Sequence, residues 1–583
     1  MPAYRNPETK RRRYGQLKAA LESERRGNFD DHWRDLANYF MPRRTRFWTS
    51  DRNRGDKRNQ NIIDSSGRFA ARTLASGLHA GLTSPARPWM KLTTPDPDLA
   101  KFPPVREWLF DVTNRMLTVF AVSNLYNVLP TVYLDMGIFG TAAMSILDDT
   151  RDVFRAYSYP IGEFMIGLDH RLMVTTFVRE FETTVRQLVE DYGVQENGRD
   201  IDWSNISSRV KAYWDNGQYE TAIKVTWVIK PNEDADRSRL ASRYLPFISC
   251  HYESEIDEGK FLRESGFRNF PFMCPRWDVT GNDSYGTDSP GMTALGDNKQ
   301  LQIMQRRKGQ LLGKAVDPPL SGPPSLRNQK TSLLSGEITY LDVREGMQGL
   351  KPIHEVRLEG YQHLTQDQGD VRYRISRAFY EDLFLMLATS DQARESSAPV
   401  TAREIEERHE EKLLALGPVL ERTGDELLDP LVDRVYDLMD ARGLIPPAPP
   451  ELNGVKLKVE YISILAQAQK LVGVASLDRF MLSTGQLLAA GYTDVRHKID
   501  TNQVVDNYGD YLGVDPRVVR SNDEANALIN AERQAMADQA QAEQAAKLAA
   551  AAKDTSEAPL SGDSVLNRIV EGAARSSAQP ATV

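Results

Sequence analysis

Residues Tyr285–Leu320 read YGTDSPGMTALGDNKQLQIMQRRKGQLLGKAVDPPL, and the fold turns on this stretch. A Gly/Pro/Ser turn opens into one helical run. Leu301, Met304, Leu311 and Ala315 fall on one face at helical spacing, with Arg306, Arg307 and Lys308 between them. The Pro/Gly-rich segment Asp317–Pro324 ends the run, because proline lacks an amide donor and clashes inside a helix.

Downstream, about forty residues carry short β-like runs, Glu337–Val343 among them. A second helix is expected from Gln366 to Leu387, with Ile375, Phe379, Leu383 and Met386 on one stripe. Ala388–Pro399 (ATSDQARESSAP) is polar and long enough for a functional loop. Thr401 then starts T-A-R-E, a helix-capping pattern. The third helix runs towards Met439 on the stripe Leu413, Leu416, Leu420, Leu427, Leu431, Val435 and Leu438, bent by Gly417-Pro418 and Pro430. Leu444–Pro450 is a rigid connector, and Leu457–Ile464 a strand leading into helical LAQAQK. Ser521–Glu524 offers another capping box before an Ala/Gln-rich helix to Lys553, which has strong propensity but little to bury.

Upstream, Leu17–Phe40, Asp64–Leu82 and Trp108–Leu134 read as helices. Ala143–Asp148, Val153–Tyr157, Thr221–Ile229 and Tyr244–Tyr252 read as strands, with a return to helix over Phe177–Asp191. The fold class is α+β, predominantly helical, with no repeating βαβ pattern.

The chain has 583 residues and a net charge of −8, unevenly spread. Residues 1–60 carry +8, which leaves −16 for the rest. In that basic arm Arg43, Arg44, Arg46, Lys57 and Arg58 surround Phe47 and Trp48. Arginine pairs with phosphate and aromatic rings stack on bases, so the patch is a candidate for nucleic acid; a solvated surface would look the same. No apolar run nears the roughly 18 residues of a membrane span, and no apolar segment follows the basic start. Two cysteines, Cys250 and Cys274, exclude a disulfide framework and fit a reducing compartment.

Enzyme signatures fail on inspection. Gly309–Lys314 is one residue short of a phosphate-binding loop, and Ala315 stands where Ser or Thr would bind magnesium. His409-Glu410-Glu411 lacks the second metal histidine, since Leu413 occupies its place. His251 with Cys250 and Cys274 lacks metal-ligand spacing. No catalytic residue, metal or cofactor is expected.

The order helix, β-containing insertion, helix, polar loop, long helix resembles the head-to-tail connecting (portal) proteins of short-tailed bacteriophages over roughly residues 10–520. RAFYEDLF (Arg377–Phe384), ALGPVLERTGDELLDPLVDR (Ala415–Arg434) and YISILAQAQK (Tyr461–Lys470) carry the likeness beside the opening stretch. The resemblance implies a wing over 1–289, a first stem helix over 290–316 and a clip over 317–360. A second stem helix over 361–387 and a tunnel loop over 388–399 follow. The long helix and rest of the wing take 400–500, a crown 501–553 and a flexible tail 554–583. It further implies a ring of twelve subunits at one capsid vertex, a structural component of the virion assembled in host cytoplasm. Its partners would be copies of itself, double-stranded DNA, terminase, capsid and scaffolding proteins and a tail adaptor, with no membrane. Arg306, Arg307 and Lys308 on the first stem helix, and Gln392, Arg394 and Ser396 in the tunnel loop, would be the DNA-facing candidates. Salt bridges between subunits are the competing reading of the three basic residues. A head-completion or tail adaptor ring is the alternative class, disfavoured by two helices bracketing a clip.

Overall fold

Pro290–Val316 forms a single helix with the bounds that its turn and prolines predict. In the computed structural model, the described residues are 7–47, 55, 57–193, 200–236, 238–239, 241–255, 259–316, 320–321, 351–352, 359–384, 416–452, 454–455, 457–461, 464–492, 498–512, 518, 520 and 522–556. They divide into two units, Met1–Thr493 and Asp494–Val583.

The first unit opens with α1 (Pro7–Asn28) and α2 (Asp30–Tyr39), two helices where one was expected, broken at Phe29. α3 (Ser66–Leu82) follows, its small residues letting it pack closely on later helices. β1 (Met90–Thr93) and the short α4 (Pro97–Lys101) lead to α5 (Pro103–Val122) and α6 (Leu125–Phe139). These last two cover the helical region read over Trp108–Leu134. They bend by 79° at Ser123–Asn124, and no single helix among the described residues is long and apolar enough to cross a membrane.

The β-rich part comprises β2 (Ala143–Asp149), β3 (Val153–Tyr159), β4 (Phe164–Leu168) and β5 (Val174–Thr184). After α7 (Val185–Tyr192) and α8 (Ser208–Asp215) come β6 (Ala222–Pro231), β7 (Phe247–Glu253), β8 (Arg263–Phe267) and β9 (Phe272–Met273). An antiparallel sheet runs β4-β5-β6-β7-β8, and a smaller one β3-β2-β9. One face of the larger sheet meets the main core through Phe177, Trp227 and Ile229. The other packs under α1 through Val178, Val228, Ile248 and Tyr14.

That two-sided burial corrects the helix expected over Phe177–Asp191. Phe177 and Val178 are both buried because they serve opposite faces of β5, so the apolar pattern loses its alternation and mimics a helical one. The true helix starts after Thr184, whose side chain and Gln187 form a reciprocal capping box.

α9 is Pro290–Val316, and the two-residue strands β10 (Leu320–Ser321) and β11 (Lys351–Pro352) pair antiparallel beyond it. α10 (Glu359–Ala378) begins earlier than Gln366 and stops at Ala378; residues 381–384 are helical again. Glu337–Val343 and Ala388–Pro399 lie outside the described residues, as do residues 401–415 of the third helix. Its remainder is α11 (Gly417–Thr423), a π-helical turn over Gly424–Leu428, and α12 (Asp429–Ala441). Pro418 sits in the first turn of α11, where a missing amide donor costs nothing, whereas Pro430 follows directly on the π-helical turn, which takes up the irregularity that a proline causes inside a helix. β12 (Lys458–Tyr461) pairs with β1, tying distant parts of the chain, and α13 (Ile464–Ala489) follows.

The second unit contains α14 (Thr501–Leu512) and the 35-residue α15 (Asn522–Ser556), which carries exposed Leu528, Met536 and Leu548. Asn502 donates to Asn526 between them.

Candidate functional site

The most distinctive surface is the hairpin of α9 and α10. The helices run antiparallel, since Arg374 pairs with Asp297 at 3.0 Å while Lys308 reaches Gln368 at 3.3 Å further along. Its base is buried: Leu301, Val371, Ile375 and Phe379 join the main core. Towards the far end of α9 burial stops, and residues 312–316 are all exposed.

A polar seam fixes the base. Asn298 donates to the Tyr39 carbonyl (2.9 Å), and Gln302 accepts from the amides of Ile63 and Asp64 at 2.7 and 2.8 Å. Gln305 and Arg372 both donate to Asp64 Oδ2, at 2.9 and 2.7 Å. Burial opposes ionisation of Asp64, but hydrogen bonds from Ser66, Arg372 and Gln305 outweigh it and lower the pKa. Sequence reading passed over this seam, although the polar spacing 298, 302, 305 on one face of a helix was its visible signal.

The three basic candidates of α9 separate. Lys308 is half-buried, bound to Gln368 and placed 4.9 Å over the Tyr361 ring. Arg306 and Arg307 are exposed and make no ion pair among the described residues. The open side of α9 carries Gln300, Ile303, Arg306, Arg307, Gln310 and Lys314, without a carboxylate. Gln392, Arg394 and Ser396 lie outside the described residues.

The description over residues 11–519 that matches this chain is that of the bacteriophage head to tail connecting proteins. The portal protein of Salmonella phage epsilon15 is 43% identical over 570 residues, 97% of this chain and 99% of the relative. The protein of Bordetella phage BPP-1 named "Probable portal protein" is 42% identical over 543 residues, 93% of each chain. The chain belongs to the bacteriophage head-to-tail connecting (portal) protein family.

In this connecting protein the residues of the N-terminal basic patch differ in burial. Arg44 forms a two-pronged pair with buried Asp135, and Arg46 bonds Glu163 at 3.1 Å, where Arg179 also binds. Asp135 is fully buried, and burial raises its pKa against the pull of Arg44. Arg43 and Lys57 are exposed, and Arg58 is half-buried.

The remaining chemical candidates have structural surroundings. Gly309–Lys314 lies within α9, where backbone amides point along the helix rather than around a phosphate. His251 stacks on Trp227 at 5.0 Å; burial, then Arg263 and Arg179, lower its pKa to about 3. Cys250 and Cys274 are free and buried. His409-Glu410-Glu411 lies outside the described residues. Among the described residues no group of three His, Cys, Asp or Glu could hold a metal ion.

Proposed function

We propose that this chain forms the portal ring at one capsid vertex, twelve copies surrounding the DNA path used in packaging and ejection. A near full-length match to a portal protein, 97% of this chain and 99% of that one, carries the reading. The ring connects head to tail as a structural, non-enzymatic part of the virion, and it is assembled in host cytoplasm. Terminase, capsid and scaffolding proteins and the tail adaptor are its partners. The α9–α10 hairpin is the stem, residues 317–360 between its helices the clip, residues 388–399 the tunnel loop, and 501–553 the crown.

Charge decides how such a channel can work. One exposed cation per subunit, with all twelve on phosphates at once, would give DNA binding a salt slope near −11 at about −0.9 per phosphate contact. Such simultaneous contact would arrest the duplex, so each basic ring is to touch phosphate with only some of its cations at a time. A mostly acidic chain with a few basic rings centres DNA without holding it. Arg306 and Arg307 are the proposed rings, with Lys308 behind them supporting the hairpin and Gln392, Arg394 and Ser396 meeting DNA from the tunnel loop. Arg43, Arg44, Arg46, Lys57 and Arg58 serve a nucleic-acid or acidic partner near the N-terminus, with Arg44 and Arg46 also bracing the wing.

End-on electron microscopy of the purified protein tests the assembly: rings of twelve with an open centre are expected. Monomers or small closed oligomers across salt and concentration would overturn it and favour an adaptor. For the lining, an Arg306→Ala/Arg307→Ala double variant should form rings whose DNA binding depends less steeply on salt. An unchanged slope with weakened rings would instead make these residues subunit bridges.

A further inference from the structure

We propose that the open face of α9 in one subunit packs on the open face of α10 in the next, Ile303 against Tyr373 and Arg307 against Asp370. The inference rests on the ring proposed above and names a surface that closes it. Each helix carries one half of the seam. Along α9 the exposed residues Gln300, Ile303, Arg307 and Gln310 follow at spacings of three, four and three. Along α10 the exposed residues Gln366, Asp370, Tyr373 and Arg377 follow at four, three and four. That alternation keeps a stripe pointed at a partner helix. Both stripes turn away from the hairpin's own core, where Leu301, Val371 and Ile375 are buried. Ile303 is 53% exposed and Tyr373 58%. One such residue alone would need no explanation.

Two of them standing at one level, on opposite stripes, do need one. The hairpin's own contacts set the levels. Gln305 and Arg372 meet on Asp64 Oδ2, and Lys308 meets Gln368. This antiparallel register puts Ile303 level with Tyr373, Arg307 with Asp370 and Gln310 with Gln366, to within about one residue. A copy turned about the ring axis keeps its height. Residues level within one subunit therefore stay level across a joint when the hairpin runs along that axis.

The stripes then match in kind: apolar on apolar, guanidinium on carboxylate, amide on amide. Arg307 and Asp370 form no ion pair among the described residues, and Arg374 beside Asp370 is held by Asp297. Because the two stripes differ, the contact is head-to-tail and leaves each copy one unused stripe, which propagates round a ring instead of stopping at a pair. Arg306, about 100° round the helix from Arg307, lies off the stripe and faces DNA. Asp370 of the next copy competes with phosphate for Arg307, so this basic ring touches the duplex with only some of its cations at once.

The full chain carrying both Ile303→Cys and Tyr373→Cys tests the joint. After oxidation with copper phenanthroline, non-reducing gels should show a ladder of linked chains up to the closed ring, which a thiol reductant collapses. Cys250 and Cys274 are buried and add no links. Neither single variant should form the ladder, and dimers formed as readily from one of them would mean a two-fold contact and overturn the proposal. Rings in end-on electron micrographs without a ladder would overturn this joint while leaving the ring intact. Absence of rings from the unsubstituted protein would remove both. For the charge pair, Asp370→Asn should still form rings but bind short duplex DNA with a steeper salt slope, by at least one phosphate contact at about −0.9. An unchanged slope would overturn the sharing of Arg307.

Discussion

Arg372 of α10 donates two hydrogen bonds to Asp64 Oδ2, at 3.1 and 2.7 Å, and so fastens the second hairpin helix to the segment that enters α3. Ser66 and Gln305 bind the same carboxyl, whose side chain is only 7% exposed. Replacing it leaves buried donors unmatched.

Asp64→Asn should therefore lower unfolding stability at neutral pH by about 1–3 kcal/mol, the cost of stranding buried polar groups. The pH dependence has a definite sign. A lowered folded pKa contributes stability above the unfolded value near 3.9, which is lost as pH falls through the folded value. The gap between wild type and Asp64→Asn should close in acid. A gap as large at pH 3 as at pH 7, measured by urea unfolding, would contradict this account.

Two glycines of α9 should respond oppositely to alanine. A Cβ on Gly291 would lie 2.4 Å from the Ile138 carbonyl oxygen, a backbone atom at the end of α6 that cannot rotate aside. Gly291→Ala should cost about 1–3 kcal/mol or more through overpacking. Gly313 is exposed with nothing near its Cβ position, so Gly313→Ala should gain up to about 1 kcal/mol from helix propensity. Paired urea-unfolding curves distinguish them, and a shared sign would refute the packing argument.

How much of this was legible in the sequence follows from where the forces act. α9 was readable end to end because its turn and prolines are local signals. α3 and the strands β2, β3 and β6 were readable for similar reasons. β5 was not, because Phe177 and Val178 are both apolar on opposite buried faces and no alternation survives. The π-turn was signalled only as the bend expected at Pro430, and the left-handed Tyr380 left no local trace. Of the candidate site, the separation of Lys308 from Arg306 and Arg307 emerges only once Gln368 and Tyr361 are packed beside it.

α15 should depend on assembly. Its side chains are exposed along most of its length, and Ala-rich helices without a packed face fray at the ends. Amides of Asn522–Ser556 are expected to exchange quickly in dilute monomer and slowly in rings, where small side chains let neighbouring helices approach. Equal exchange in both states would mean that this helix packs against no neighbour.

Asp429, Asp433 and Asp437 follow one another at four-residue spacing along α12. Burial raises the pKa of all three, and for Asp433 the charges of Asp429 and Asp437 add to it. Tyr461 donates to Asp429 and Asn269 to Asp437, which offsets part of the penalty at the ends of the row. A raised folded pKa reverses the sign found for Asp64. Its contribution is fully present below the unfolded pKa and is lost as pH rises through the folded value. Asp433→Asn should accordingly stabilise the protein near pH 7 by about 0.5 kcal/mol, the scale of like-charge repulsion between residues one turn apart. The gain should shrink steadily as pH is lowered through the raised folded pKa of Asp433, because the native carboxyl then takes up a proton. Thermal unfolding of both proteins across this range reads the difference directly, and a destabilised variant at neutral pH would show that Asp433 holds a partner worth more than the repulsion it suffers.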